Sequence, residues 1–246
     1  MPWNKPTQIK SWSYSRYSTY AQCPYKAKLL YIDKLPMTRN DAMIRGDAIH
    51  KLAEKFLKGE LPRLPAELKN FAEDFKELKA LRKKKPEMIS IEETWAMRSD
   101  WSETVWDDWA GCWLRIKTDV SHLTEEDNAP VCVITDYKTG KFRPDDQTNY
   151  LEQLELYALG GLLKYKHLLG AGLVIKPRLV YIDAEVIFPR VKHEARHFTG
   201  ADLVPLKKSW EKRVKPMLND TKFAPKPSYL CKWCDFSAAK GGPCKY

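Results

Sequence analysis

The chain has 246 residues, 43% hydrophobic and 30% charged, enough to bury a core; this excludes a disordered or fibrous protein. Its net charge of +10, from 42 basic and 32 acidic residues, favours a polyanion as partner. No apolar run approaches the roughly 18–20 residues of a membrane helix, and the opening MPWNKPTQIK lacks the apolar segment of a secretory signal, so a cytoplasmic protein with no membrane partner is expected.

In chain order, SWSYSRYSTYAQCPYKAKLLYIDKLP reads as one helix, opened by Ser13 or Ser15 and ended before Pro36. DAMIRGDAIHKLAEKFLKG places Ile44, Ala48, Ile49, Leu52, Ala53, Phe56 and Leu57 at helical spacing, with Gly59 past the end. Residues 65–82 predict another helix, with Leu68, Phe71, Phe75 and Leu78 on one side. After KKKP the period changes. MISIEETWAM, CWLRIKTDVSHL and VCVITDYK alternate as strands, with TEEDNAP as the hairpin loop between the last two. A long helix is predicted over 148–169, then a strand or a pair in GLVIKPRLVYIDAEVIFPR, a helix in ADLVPLKKSWEKRVKPML, and an irregular tail from Phe223.

This order predicts an α/β (α+β) layered fold. It forms one domain over 1–246: a helical part at 13–82, a core sheet and helix at 88–190, and a C-terminal helix and Cys-rich tail at 200–246. The aromatics Trp3, Trp12, Tyr14, Tyr17 and Tyr20 alternate with Lys10 and Arg16. That pattern suits base stacking with phosphate neutralisation and, more simply, a packed aromatic helix.

The stretch VITDYKTG, residues 133–140, carries chemistry at a strand end. Side chains two apart on a strand share a face, so Asp136 and Lys138 do. On the preceding strand Asp119 shares a face with Lys117 and Arg115, with Leu114, Ile116 and Val120 opposite. Paired as a hairpin, the two strands bring Asp119 and Asp136 together at one end. Two carboxylates at one point repel unless a cation sits between them. Mg²⁺ or Mn²⁺ fits oxygen ligands there, and such an ion polarises a phosphoryl oxygen and activates water. Lys138 would be a positive charge beside the attacked phosphate. A lone D-x-K is common, and its company strengthens it. Gly46, His50 and Glu54, spaced by four, share one helix face, where the glycine permits close approach and His50 offers an imidazole. Gln153 and Tyr157 are one turn apart on the long helix, where Leu151, Leu154, Ala158 and Leu162 can form the buried stripe.

Of six cysteines, three crowd into CKWCDFSAAKGGPC. A CxxC with a further Cys is a metal-site signal, and three thiolates need a fourth ligand for tetrahedral zinc or a cubane cluster. The candidates are Cys23, Cys112, Cys132 and the histidines. Cys112 and Cys132 fall inside alternating strands and suit a core; Cys23 lies outside any strand pattern and is the choice, which joins the two ends of the chain. Spacing fits zinc and iron–sulfur alike.

Taken together and in order, Cys23-Pro24, the G-x-x-x-H of Gly46 and His50, Asp119, the D-x-K of Asp136 and Lys138, the Q-x-x-x-Y of Gln153 and Tyr157, and the C-terminal CxxC plus Cys resemble the PD-(D/E)XK nuclease superfamily. Within it they resemble the RecB-like branch that carries an iron–sulfur cluster, which includes CRISPR-associated adaptation exonucleases and the nuclease domains of bacterial recombination helicase–nucleases. The resemblance spans roughly Ser13 to Cys244. Two departures stand out: Thr118-Asp119 replaces the usual Pro-Asp, and the gap from Cys234 to Cys244 is longer than usual.

The resemblance implies a restriction-endonuclease-like core, a central mixed sheet flanked by helices, with both chain ends joined by a Cys metal cluster. It implies that His50, Asp119, Asp136 and the Tyr137 carbonyl bind the catalytic Mg²⁺ or Mn²⁺, that Lys138 is the catalytic lysine, and that Gln153 and Tyr157 form the accessory motif. Cys23, Cys231, Cys234 and Cys244 would hold a structural [4Fe–4S] cluster, with Zn²⁺ as the alternative, and Glu93 is a candidate extra acid. The implied activity is a metal-dependent DNA exonuclease hydrolase acting on single-stranded ends in recombination, repair or phage and CRISPR DNA processing. A helicase, recombinase or single-strand-binding protein would act in trans, and a phage-encoded origin is among those left open. The rivals are a catalytically silent nucleic-acid-binding module, against which the intact Asp119, Asp136 and Lys138 argue, and a zinc-stabilised interaction protein.

Overall fold

The hairpin at the centre of the fold turns on two residues. In the computed structural model, which describes residues 7–189 and 196–246, β3 (Leu114–Glu126) and β4 (Ala129–Lys138) are joined by Asp127 and Asn128 at φ +49 and +61. Asp and Asn tolerate this left-handed region, and a turn built from it matches the twist of the flanking strands. The expected loop TEEDNAP is therefore mostly strand: Glu126 pairs with Ala129 and Glu125 with Pro130.

β1 (Ile89–Met97), β2 (Glu103–Thr104), β5 (Val174–Tyr181) and β6 (Val186–Phe188) complete a six-stranded sheet in the order β2-β1-β3-β4-β5-β6. Every neighbouring pair is antiparallel except β4 and β5. Parallel neighbours need a crossover, supplied by α5 (Gln147–Lys164) and a 3-10 turn at Lys166–Ala171, where the sequence predicts one helix to 169. The sheet is thus mixed, within an α/β layered fold, and the strand-or-pair at 172–190 is a pair over its described residues. Arg190, which ended that expected segment, and Trp3 lie outside the described residues.

Helices cover both faces. On one, α5, α6 (Leu203–Asn219) and α1 (Tyr14–Gln22) bury Cys132, Ile134, Leu162 and Trp210. On the other, α3 (Asp41–Leu57) and α4 (Ala72–Lys84) bury Ile49, Phe56, Phe75 and Tyr137. Residues 66–71 form a 3-10 turn before α4 rather than its first turns. The first turns of α3 stand free of the core, with Ile44 52% exposed. Simple alternation along β3 puts Leu114, Ile116 and Val120 on one face. Instead Leu114 and Ile116 join the first core and Val120 the second. The phase changes near Asp119, beside Glu92 of β1, whose φ is +56.

The expected N-terminal helix is two helices. Ser13 caps α1 by accepting from the Arg16 N–H. Cys23 then adopts an extended φ of −158 and precedes α2 (Pro24–Tyr31). Pro24 brings no N–H and disfavours helical backbone at the residue before it. The aromatics here pack on one another: Trp12, just before α1, stacks on Trp210 at 5.4 Å, with Tyr14 and Tyr17 of α1 edge-on to the same ring. This ring packing agrees with the packed aromatic helix of the two readings. No helix among the described residues is long and apolar enough to cross a membrane.

Candidate active site

Pairing between β3 and β4 runs up to Val120 and Thr135, one step short of Asp119 and Asp136, so the hairpin sets the two acids side by side. They are 9% and 7% exposed. Asp119 Oδ2 accepts from the Tyr137 backbone N–H at 2.6 Å, and its Oδ1 meets His50 Nδ1 of α3 at 3.0 Å. Gly46, one turn before His50, lets α3 approach closely: a Cβ there would stand 3.2 Å from Thr139 Oγ1. Glu54, expected on the same face, pairs with Lys58 instead.

Around Asp136 a second set forms. Its Oδ1 accepts from the Tyr157 hydroxyl and, at 3.4 Å, from Gln153 Nε2; Gln153 also donates to the Tyr157 oxygen at 3.0 Å. Lys138 Nζ stands 2.5 Å from Asp136 Oδ2. The structure therefore brings His50, Asp119, Asp136, Lys138, Gln153 and Tyr157 together. The Tyr137 ring points to the other face, stacked on Phe75 at 5.0 Å.

The acid contributed by β1 is Glu92. Its carboxylate, His50 and Asp119 present ligand atoms within 4.8 Å of one another. Glu93 lies on the opposite side, paired with Lys164 of α5 at 3.0 Å. The sequence carries two adjacent acids and no signal that separates them; the positive φ of Glu92 does so.

The electrostatics suit a cation. Burial, then the neighbouring Asp136, pushes the Asp119 carboxyl up, against the opposing pull of His50 and the Tyr137 N–H. Burial pulls His50 down, but its hydrogen bond to Asp119 and that carboxylate's charge outweigh it, leaving the imidazole raised. Asp136 Oδ2 is sealed from solvent, and no hydrogen bond of ordinary geometry reaches it despite the nearby ammonium. Carboxylate oxygens with one imidazole are a donor set for Mg²⁺ or Mn²⁺, so the residues present fit such an ion. An open cleft of about 610 Å³ leads here, lined by Lys117, Lys138, Gln153 and Tyr157 together with Arg16 and Arg115.

Cys23, Cys231, Cys234 and Cys244 line one separate cavity of about 150 Å³. The backbone N–H groups of Lys226 and Ser228 point at Cys23 Sγ and Cys231 Sγ, at 3.5 and 3.4 Å. Cys112 and Cys132 are buried in the core, where burial raises both thiols and leaves them unreactive.

Compared with known proteins, residues 11–239 match the model of the PD-(D/E)XK nuclease superfamily. No curated protein matches the chain.

Proposed function

Because the chain belongs to the PD-(D/E)XK nuclease superfamily, a group of nucleases that typically work with Mg²⁺ or Mn²⁺, we propose that it is a metal-dependent DNA exonuclease acting on single-stranded ends. The observation that supports this most is the meeting of His50, Asp119, Asp136 and Lys138 behind a basic cleft that Lys138 lines. His50, Asp119 and Asp136 would hold the ion, with Glu92 as a further acid beside them. Bound there, it would polarise a phosphoryl oxygen and acidify a water.

The remaining residues position these groups. The Tyr137 N–H fixes the Asp119 carboxylate. Tyr157 and Gln153 hold Asp136 by Oδ1 and leave Oδ2 for the cation. Lys138 places a positive charge where negative charge grows on the attacked phosphate. A role in recombination, repair or phage DNA processing, with a helicase, recombinase or single-strand-binding protein in trans, suits a nuclease of this kind and a net charge of +10.

Cys23, Cys231, Cys234 and Cys244 are assigned a structural [4Fe–4S] cluster. The support is their shared cavity and the N–H groups directed at two sulfurs, since such bonds stabilise metal-bound thiolates. Iron and acid-labile sulfide in an anaerobic preparation test this; stoichiometric zinc without iron would replace the cluster by a zinc site.

The activity is tested by cleavage of end-labelled single- and double-stranded DNA with Mn²⁺, comparing wild type with Asp136→Ala. Single strands should be shortened from an end by the wild type alone. No cleavage of any DNA form by metal-loaded, cluster-loaded wild type would favour the catalytically silent binding module.

A further inference from the structure

We infer that the cleft carries a second substrate-binding element beside the reaction centre: Arg16 and Arg115 hold a phosphate flanking the one that is cut, and Trp106 with Trp109 stacks the base attached to it. Resting on the nuclease reading above, this places recognition of an unpaired base in residues that take no part in the chemistry.

The two guanidiniums line the same cleft as Lys138 and Tyr157, and each is held rigidly. Arg115 donates through Nε and Nη2 to the Trp106 carbonyl at 3.2 and 3.0 Å. Arg16 donates through Nη1 to the Ser11 carbonyl and hydroxyl at 2.9 and 2.6 Å, and lies 5.2 Å from the Tyr31 ring centre. Lys117 and Lys138 are each neutralised by a carboxylate. Among the described residues no carboxylate pairs with Arg16 or Arg115. Burial, then the nearby Arg115 charge, holds the Arg16 guanidinium below its ordinary value. Two fixed cations that repel each other across a cleft, with no acid between them, are relieved by an anion, and guanidinium geometry matches phosphate oxygens.

The aromatic part is just as specific. The Arg115 guanidinium lies 5.6 Å from the Trp106 ring centre and 5.3 Å from that of Trp109. Trp106 lines the cleft, while Trp109 is 82% exposed, more than any other large apolar side chain described. Their loop is braced by Asp108, which accepts from Thr104 Oγ1 at 2.7 Å, the Gly111 N–H at 2.8 Å and Arg98 at 3.1 Å. A braced, solvent-facing indole contributes nothing to the core; beside a phosphate site it offers a face on which any base can stack. In a duplex the paired, stacked bases have no free face to offer. The element would therefore select single strands, irrespective of sequence.

The test is fluorescence anisotropy with end-labelled single-stranded oligonucleotides, without divalent ion so that binding is read in the absence of turnover. One abasic site is moved along the strand. Wild-type affinity should fall when the missing base is at one particular position. Trp106→Ala should weaken binding of the intact strand by about 5- to 100-fold and no longer distinguish that abasic strand. Trp109→Ala, at an exposed side chain, should act in the same direction and guards against misfolding of the first variant. Arg115→Gln should reduce the salt-dependence slope by about 0.7. Affinities within about twofold of wild type in both Trp variants, an abasic penalty that persists in them, or no binding of single strands by the wild type would each overturn the inference. Failure of the wild type to cleave DNA counts against the nuclease reading alone.

Discussion

Asp119 reaches across the hairpin to the backbone N–H of Tyr137, 2.6 Å away. The same carboxylate holds His50 on its other oxygen. One side chain thus ties two strands and a helix together where a cation would bind. An N–H donated to a carboxylate is among the stronger hydrogen bonds in proteins, so the group is positioned before any metal arrives.

Removing Asp119 and removing Lys138 should therefore differ. Asp119→Ala is expected to lose Mn²⁺ binding and cleavage together. Lys138→Ala should lower cleavage by about 100- to 1000-fold with no loss of Mn²⁺ affinity, because Lys138 competes with the ion for Asp136 Oδ2. Titration calorimetry reads both, and full affinity in Asp119→Ala would refute the ligand assignment.

Tyr157→Phe deletes the hydroxyl that donates to buried Asp136. A hydrogen bond to a charged group contributes about 1.5–3 kcal/mol, and the variant should lose that much in urea unfolding with EDTA present. Mn²⁺ should narrow the gap by neutralising the buried carboxylate. Equal stability in EDTA would mean that Gln153 alone satisfies Asp136.

Stability should also respond to His122 on β3. Burial, then the Arg178 charge, pushes its imidazole down to about 4, with Asp74 pulling weakly the other way. The unfolded chain takes up this proton first, near its ordinary pKa of about 6.5. The stabilisation is thus complete above about pH 6.5 and is lost as pH falls toward 4, by about 3 kcal/mol. Unfolding curves for His122→Gln should be flatter across that window; curves parallel to wild type would exclude the effect.

Gly242→Ala probes the cysteine site without touching a cysteine. A Cβ there would stand 2.3, 2.4 and 2.5 Å from Phe236 backbone atoms, which cannot yield without moving. The Phe236 carbonyl accepts from the Cys244 N–H at 2.9 Å, so the substitution displaces Cys244. Iron per chain should fall while Mn²⁺ binding at Asp119 persists. Unchanged iron content would remove Cys244 from the ligand set.

Much of this site is legible in the sequence because it sits on regular elements. The period of two places Asp136 and Lys138 together, and helical spacing joins Gln153 to Tyr157 and Gly46 to His50. What escapes is what breaks the period. Glu92 takes the place expected of Glu93 because its φ is positive. The phase change in β3 moves Val120 to the other core. Pro24 ends one helix at Cys23, where the apolar pattern runs on. Trp106 and Trp109 belong to a loop with no periodicity, and their place beside Arg115 depends on side-chain braces at Asp108.

Cys23 and Lys226 meet 203 residues apart in sequence, and Lys226 also donates to the Ala21 carbonyl. A metal shared by cysteines from both ends would close nearly the whole chain into a ring. Releasing a loop of that length restores unfolded-chain entropy equivalent to about 5 kcal/mol. Because Cys23 also ends α1, whose other residues wall the cleft, loss of that closure would slacken the cleft from a distance. Oxygen damage at the tail would then register first as weaker grip on the strand, with the carboxylates still in place.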